Sequence, residues 1–193
     1  MIGSRIGHSL DPFLLRVYHL LFSDRPVNPN LITALSLLFG LLCASLVVLE
    51  RHVLAGAALI ASGFFDVLDG AIARQTGRVT PFGGFLDSVL DRYTDLAVTL
   101  GIFVYFLAHG DALWSTLTFV AAIGTALVPY IRATAEAAGI ECKSGLLERS
   151  ERTLLLIIGL WFGVLTGVIL LLAVFTHVTA VQRILIVKRS ADR

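Results

Sequence analysis

Between Asp66 and Asp91 the chain reads DVLDGAIARQTGRVTPFGGFLDSVLD, which sets four aspartates into surroundings that are otherwise apolar. Carboxylates in or beside membrane-crossing segments cost several kcal/mol unless something compensates them. A fold for this chain must therefore gather Asp66, Asp69, Asp87 and Asp91 where a bound divalent cation can offset their charge. Asp66 and Asp69 are three residues apart and Asp87 and Asp91 are four apart. At helical pitch each pair shares one face, and across a hairpin the two faces can converge.

The membrane premise comes from composition. Of 193 residues 56% are hydrophobic and only 15% charged, with a mean hydropathy of +0.85, whereas soluble domains average roughly 25% charged. The expected class is an all-α integral membrane protein, one domain over residues 1–193, with six transmembrane helices preceded by a short amphipathic interfacial helix. Residues 1–28 form that interfacial segment: Leu10, Phe13, Leu14, Val17, Leu20 and Leu21 fall at helical spacing against Asp11, Arg16 and His19. Asp11, Arg16 and Asp24 also break any signal-peptide core, so no cleaved targeting segment is expected. Spans are predicted over about Leu31–Leu49, Val53–Arg74, Phe82–Leu107 and Ala112–Ala135, the last kinked at Pro129. The apolar run from Thr153 to Gln182 divides into two spans by a tight turn near Phe162 to Thr166, with the fifth helix beginning near Leu146.

Charge placement bears on the count independently. On this topology thirteen of the fifteen Lys and Arg residues fall on one side, leaving Arg51 opposite and Arg92 within a helix. By the positive-inside rule both termini, and with them the Asp66 to Asp91 hairpin, face the cytoplasm from the cytoplasmic (inner) membrane. Cys43 and Cys142 form no disulfide or zinc framework. His8, His19, His52, His109 and His177 are scattered, none beside the acids. A nucleic-acid partner is not expected.

Four hard oxygen donors without neighbouring His or Cys favour Mg²⁺ or Mn²⁺ over zinc or copper, and two ions clamping phosphate oxygens would relieve the crowded charge. Gly70 follows Asp69, and Gly83 lies one turn before Asp87. Two readings stand for these glycines, bare backbone where a bulky group can approach or close helix packing. Asp95 extends the Asp87, Asp91 stripe by another turn and is read as support for it, paired with Arg92 or with another helix. Trp114 and Trp161 suit anchoring at the outer interface.

The order Asp66-x-x-Asp69-Gly70-x-x-Ala73-Arg74, eight residues, then Gly83-x-x-x-Asp87-x-x-x-Asp91 resembles the signature of the CDP-alcohol phosphatidyltransferases. The resemblance implies transfer of a phosphatidyl group from a CDP-lipid to an alcohol with release of CMP. It implies that Asp66, Asp69 and Asp87 ligate metal, with Asp91 also near the ions and taking the acceptor hydroxyl proton. It assigns Gly70, Ala73, Arg74, Thr80 and Gly83 to the CDP-lipid. Asn30 and Thr33, in Asn-Pro-Asn-Leu-Ile-Thr, resemble a further CDP contact; an ordinary helix N-cap is the other reading of the Asn30 side chain.

Pro129 to Arg152, PYIRATAEAAGIECKSGLLERSER, resembles the matching segment of the phosphatidylinositol phosphate synthases and their archaeal ether-lipid relatives. That resemblance implies an inositol phosphate acceptor held by Arg132, Arg149, Arg152 and Arg183, whose planar guanidiniums match phosphate oxygens in pairs. The alternative for these arginines is anchoring at lipid headgroups. Thr134 and Pro129 depart from the pattern, where a basic and a small hydroxyl residue are common. Glycerol 3-phosphate is the rival acceptor, giving phosphatidylglycerophosphate. From other classes, a cation- or proton-coupled transporter would also keep acids in membrane helices. The spacing Gly159-x-x-x-Gly163-x-x-x-Gly167 suggests close helix approach within a subunit or a homodimer.

Overall fold

The structure is a computed structural model describing residues 28–142, 145 and 147–191. The expected interfacial helix over Leu10 to Phe22 lies outside those residues. Regular structure among the described residues is entirely helical: α1 (Pro29–Val48), α2 (His52–Gln75), α3 (Pro81–Ala108), α4 (Ala112–Ala137), α5 (Arg149–Phe162) and α6 (Leu165–Ala191).

Local chemistry sets where these helices start and stop. Pro29 opens α1 and the Asn28 side chain accepts from the Asn30 N–H at 3.1 Å. The N-cap is thus Asn28, which overturns the capping alternative for Asn30 and leaves that side chain to the site. Pro81 opens α3, where Thr80 Oγ1 accepts from the Gly83 N–H at 3.0 Å. In α5 the Glu148 and Glu151 side chains cap reciprocally, so the helix starts at Arg149 and not near Leu146 as expected. Gly163 ends it in the left-handed region at φ 69, a conformation glycine adopts without a Cβ penalty. α6 resumes two residues later, inside the predicted turn. α4 runs as one continuous helix through Pro129.

The helices α1, α2, α4 and residues Leu165–Ser190 of α6 are long and apolar enough to cross a membrane. α3 is longer still but carries Asp87, Asp91, Arg92 and Asp95. At 1.5 Å per residue α5 rises only about 21 Å, short of a hydrocarbon core of about 30 Å. Large apolar side chains such as Leu38, Leu100, Phe119 and Leu170 point outward, as a lipid-facing surface requires. This is a multi-pass membrane protein.

α1 packs on α2 and α3, α3 on α4, α4 on α6, and α5 on α2 and α6. The main core joins Cys43 and Val47 to Leu59, Val98, Ile102, Leu160, Ile169 and Leu172. Along α2 and α3 those residues occupy the ends away from the aspartates, leaving the other half of the bundle to polar groups. A smaller core of Ile32, Leu68, Ala71 and Ile72 backs the acidic stretch of α2. Ser36 and Ser62 bind α1 to α2, each hydroxyl donating to the other's carbonyl at 2.9 Å.

Glycine at the α1–α3 contact is required by distance. A Cβ on Gly101 would stand 2.6 Å from the Ala44 carbonyl oxygen and 2.8 Å from its Cα. The Gly159, Gly163, Gly167 spacing, by contrast, forms no stripe. Gly163 is the turn that ends α5, Gly159 faces Leu165 and Val168 of the same subunit, and Gly167 has nothing within 4 Å. The homodimer expectation loses that basis.

Gly101→Ala should force α1 and α3 apart at a cost of about 1–3 kcal/mol. Gly167→Ala, set in open space, should be neutral or stabilise by up to about 1 kcal/mol through helix propensity. Thermal unfolding of the detergent-solubilised variants, side by side, checks the contrast; equal midpoints would remove the packing role of Gly101.

Candidate active site

The turn of residues 76–80 folds α3 back on α2 and sets the two acidic faces opposite one another. Carboxylate oxygens of Asp66, Asp87 and Asp91 lie within 4.8 Å of one another. Asp69, 6% exposed, keeps one carboxylate oxygen, Oδ2, buried without a hydrogen-bond partner. Three converging carboxylates and an orphaned oxygen beside them, with no nitrogen or sulfur donor in the cluster among the described residues, fit a hard divalent cation.

A cavity opens to each side of this cluster. The smaller, about 310 Å³, is lined by Asn30, Thr33, Gly70, Ala73, Arg74, Thr80 and Gly83, together with Asp69 and Asp87. All the residues that the sequence assigned to a CDP-lipid thus meet in one place. A Cβ on Gly70 would lie 3.1 Å from Arg74 Nη1; one on Gly83 would lie 3.1 Å from Thr80 Oγ1 and 3.5 Å from Asn30 Oδ1. Neither glycine abuts the backbone of a neighbouring helix as Gly101 does. Their bareness widens the cavity, and the close-packing reading fails for both. Arg78, Val79 and Gly84 also line it; Arg78 was missed because a lone basic residue in a polar turn has no pattern to separate it from a membrane anchor.

The larger cavity, about 830 Å³, lies between α2, α3 and the C-terminal helices. Asp66, Arg92, Asp95, Arg132, Arg149, Arg152 and Arg183 all line it. Arg149 donates through Nη1 to Asp66 Oδ2 at 2.7 Å, and its Nη2 is 2.8 Å from Asp91 Oδ1. Arg152 is 4% exposed, with Nη2 3.2 Å from Asp95 Oδ2 and Nη1 donating to the Leu147 carbonyl. Arg183, also 4% exposed, donates to the Val128 carbonyl at 2.6 Å. Side chains turned inward and held this way are not headgroup anchors. Arg132 is more open, 46% exposed at the side chain and paired with Glu136 at 2.8 Å.

Pro129 stands in the wall of this cavity, so that departure from the expected pattern bears on the site, whereas Thr134 is exposed outside it. Asp95 does more than expected: besides Arg92 at 3.7 Å it meets Arg149 at 3.5 Å and Arg152 at 3.2 Å. Trp161, expected at the outer interface, donates its indole N–H to the Val53 carbonyl at 3.1 Å, tying the end of α5 to the start of α2.

Known proteins resemble this chain in sequence and fold. Archaetidylinositol phosphate synthase of Pyrococcus horikoshii is 37% identical over 167 residues, 86% of either chain. Phosphatidylinositol phosphate synthase of Cutibacterium acnes is 30% identical over 182 residues, 86% of this chain and 88% of the other. Among solved structures, phosphatidylinositol phosphate synthase of Mycobacterium tuberculosis with CDP-DAG bound superposes with a TM-score of 0.78 at 30% identity, over 95% of this chain and 94% of that one. The same enzyme in complex with manganese and citrate gives 0.79 at 29% identity, over 94% and 88%. The family model of CDP-alcohol phosphatidyltransferases matches residues 26–179, and the chain belongs to that family of enzymes.

Proposed function

We propose that this protein, as a single membrane-embedded domain, transfers the lipid-bearing phosphate of a CDP-lipid to inositol phosphate and releases CMP. The observation that carries the reading is the pair of cavities meeting at one acidic cluster, the smaller lined by the CDP signature and the larger by four arginines. Relatives named for inositol phosphate products support the acceptor, and the manganese and CDP-DAG bound to the Mycobacterium tuberculosis enzyme support the cofactor and donor. Membership of an enzyme family sets aside the transporter and purely structural readings.

Asp66, Asp69, Asp87 and Asp91 would hold Mg²⁺ or Mn²⁺, as two ions. Bound there, the metal supplies countercharge to the pyrophosphate and to the departing CMP. Gly70, Ala73 and Gly83 leave room for the nucleotide, while Asn30, Thr33, Arg74 and Thr80 bind it and its phosphates. On the far side Arg132, Arg149, Arg152 and Arg183 take the acceptor phosphate and aim its hydroxyl at the phosphorus that carries the lipid. The hydroxyl oxygen forms the new P–O bond as the bond to CMP breaks, and the hydroxyl proton passes to the Asp91 carboxylate. The excess of basic residues flanking this end of the bundle supports a cytoplasmic active site and cytoplasmic termini in the inner membrane.

CMP release from the purified protein, with a CDP-lipid and in turn inositol phosphate, glycerol 3-phosphate, inositol and serine, tests the proposal. Turnover should require inositol phosphate; turnover with glycerol 3-phosphate alone would make the product phosphatidylglycerophosphate. Asp91→Asn should abolish transfer while CDP-lipid binding persists, and Asp66→Ala should weaken Mn²⁺ affinity; full turnover by the Asp91→Asn variant would remove the base assignment.

Arg149 sits on the two carboxylates that a cation would also occupy. Arg149→Met leaves Asp66 and Asp91 without that countercharge, at a cost of about 3 kcal/mol to the metal-free protein. Its apparent melting point in EDTA should fall below that of the unsubstituted protein, and added Mn²⁺ should restore more of it than it adds to that protein. An unchanged response to Mn²⁺ would show that guanidinium and ion do not compete.

A further inference from the structure

The aspartate one helical turn beyond Asp91 lies outside the family signature, yet more cations surround it than any other carboxylate of the site. Asp95 Oδ2 is 3.2 Å from Arg152 Nη2 and 3.7 Å from Arg92 Nη1, and Oδ1 is 3.5 Å from Arg149 Nε. Its side chain is 12% exposed and lies in the wall of the larger cavity. It takes no part in the convergent oxygens of Asp66, Asp87 and Asp91. Its charge is turned toward the arginines.

We propose that Asp95 is a positioning residue for the phosphorylated acceptor, fixing the guanidiniums of Arg149 and Arg152 side by side in the cavity wall. This rests on the reading of that cavity as the acceptor site. Arg149 and Arg152 are three residues apart in the first turn of α5 and therefore share a face. Two guanidiniums in a largely buried setting repel, and unopposed they would splay. A carboxylate between them offsets the repulsion: it accepts a hydrogen bond from Arg152 Nη2 and stands 3.5 Å from Arg149 Nε as an ion pair without a hydrogen bond. Asp95 also separates the roles of its neighbours. Asp66 and Asp91 draw Arg149 toward the metal-binding end, whereas Asp95 holds it, with Arg152, at the cavity.

The donor cavity gives the idea its discriminating readout. Arg74 and Arg78 line that smaller space, and Asp95 does not. Losing Asp95 should therefore change recognition of the acceptor and not of the CDP-lipid.

The test is steady-state CMP release by the full-length protein, unsubstituted and as Asp95→Asn and Asp95→Glu, with inorganic phosphate as a competitor of the acceptor. Asp95→Asn should raise the acceptor KM by about tenfold or more, in the range seen when the partner that orients a ligand-binding side chain is lost. Inhibition by inorganic phosphate should weaken by a similar factor, while the CDP-lipid KM stays within about twofold. Asp95→Glu, which keeps the charge on a longer arm, should raise the acceptor KM less; it carries the comparison alone if the Asp95→Asn variant does not fold. Parallel increases in both KM values, a fall in kcat with neither KM changed, or no effect would overturn the proposal. If glycerol 3-phosphate supports turnover and inositol phosphate does not, the acceptor assignment fails, and the same split measured with glycerol 3-phosphate still decides the role of Asp95.

Discussion

Carboxylates placed inside a membrane bundle dictate most of what this protein does with its polar residues. Asp66 and Asp91 share Arg149, and Asp95 shares Arg92, Arg149 and Arg152. The buried Asp69 oxygen has no hydrogen-bond partner. Arg149 and Arg152 thus pair with carboxylates on the side facing the larger cavity, while Asp69, on the side of α1 and the smaller cavity, keeps an oxygen without a hydrogen-bond partner. The polarity of the cluster follows from which helices flank it. α5 brings guanidiniums to one side, while α1 brings only neutral Asn30 and Thr33 to the other.

Glycine serves two opposite ends in the same bundle. At Gly101 and Gly40 it lets helices approach until a Cβ would collide with Ala44 or Thr94. At Gly70 and Gly83 it keeps helix surface bare where only side chains, and no neighbouring backbone, come near. Close contacts at Gly40 and Gly101 bring α1 against α3, whereas the missing side chains of Gly70 on α2 and Gly83 on α3 widen the smaller cavity.

How far the sequence could be read depended on the range of the interaction. Helical spacing of Asp66, Asp69, Asp87 and Asp91 is local, and it correctly brought two acidic faces together. Apolar runs placed the ends of α1 to α4 within two residues, but α6 runs on past Gln182, through basic Arg183, Lys188 and Arg189, to Ala191. The start of α5 at Arg149 turned on a reciprocal cap between Glu148 and Glu151 competing with hydrophobic length, and the cap prevailed. The glycine spacing at 159, 163 and 167 failed because Gly163, in the left-handed region, ends the helix that the spacing assumes. The ion pairs of Asp95 with Arg149 and Arg152 cross more than fifty residues of chain. No periodicity reports such a contact, and the sequence offered Arg92 or another helix as the partner without naming Arg149 or Arg152.

The two cavities draw on different parts of the chain. α1, α2, the turn after it and the start of α3 supply the residues lining the smaller one, from Pro29 to Asp87, whereas the larger takes its arginines chiefly from α4, α5 and α6. α2 and α3 contribute to both, because the acidic cluster they form is the boundary between them. An enzyme built this way can keep one nucleotide-lipid donor and one acidic centre while altering the helices that follow. On the proposed reading residues 129–183 bear on the alcohol received, while Arg149 also reaches back to Asp66 and Asp91 of the acidic centre. On the same reading the signature in α2 and α3 belongs to the donor side, and the arginine-lined wall, with Asp95 in it, to the acceptor side.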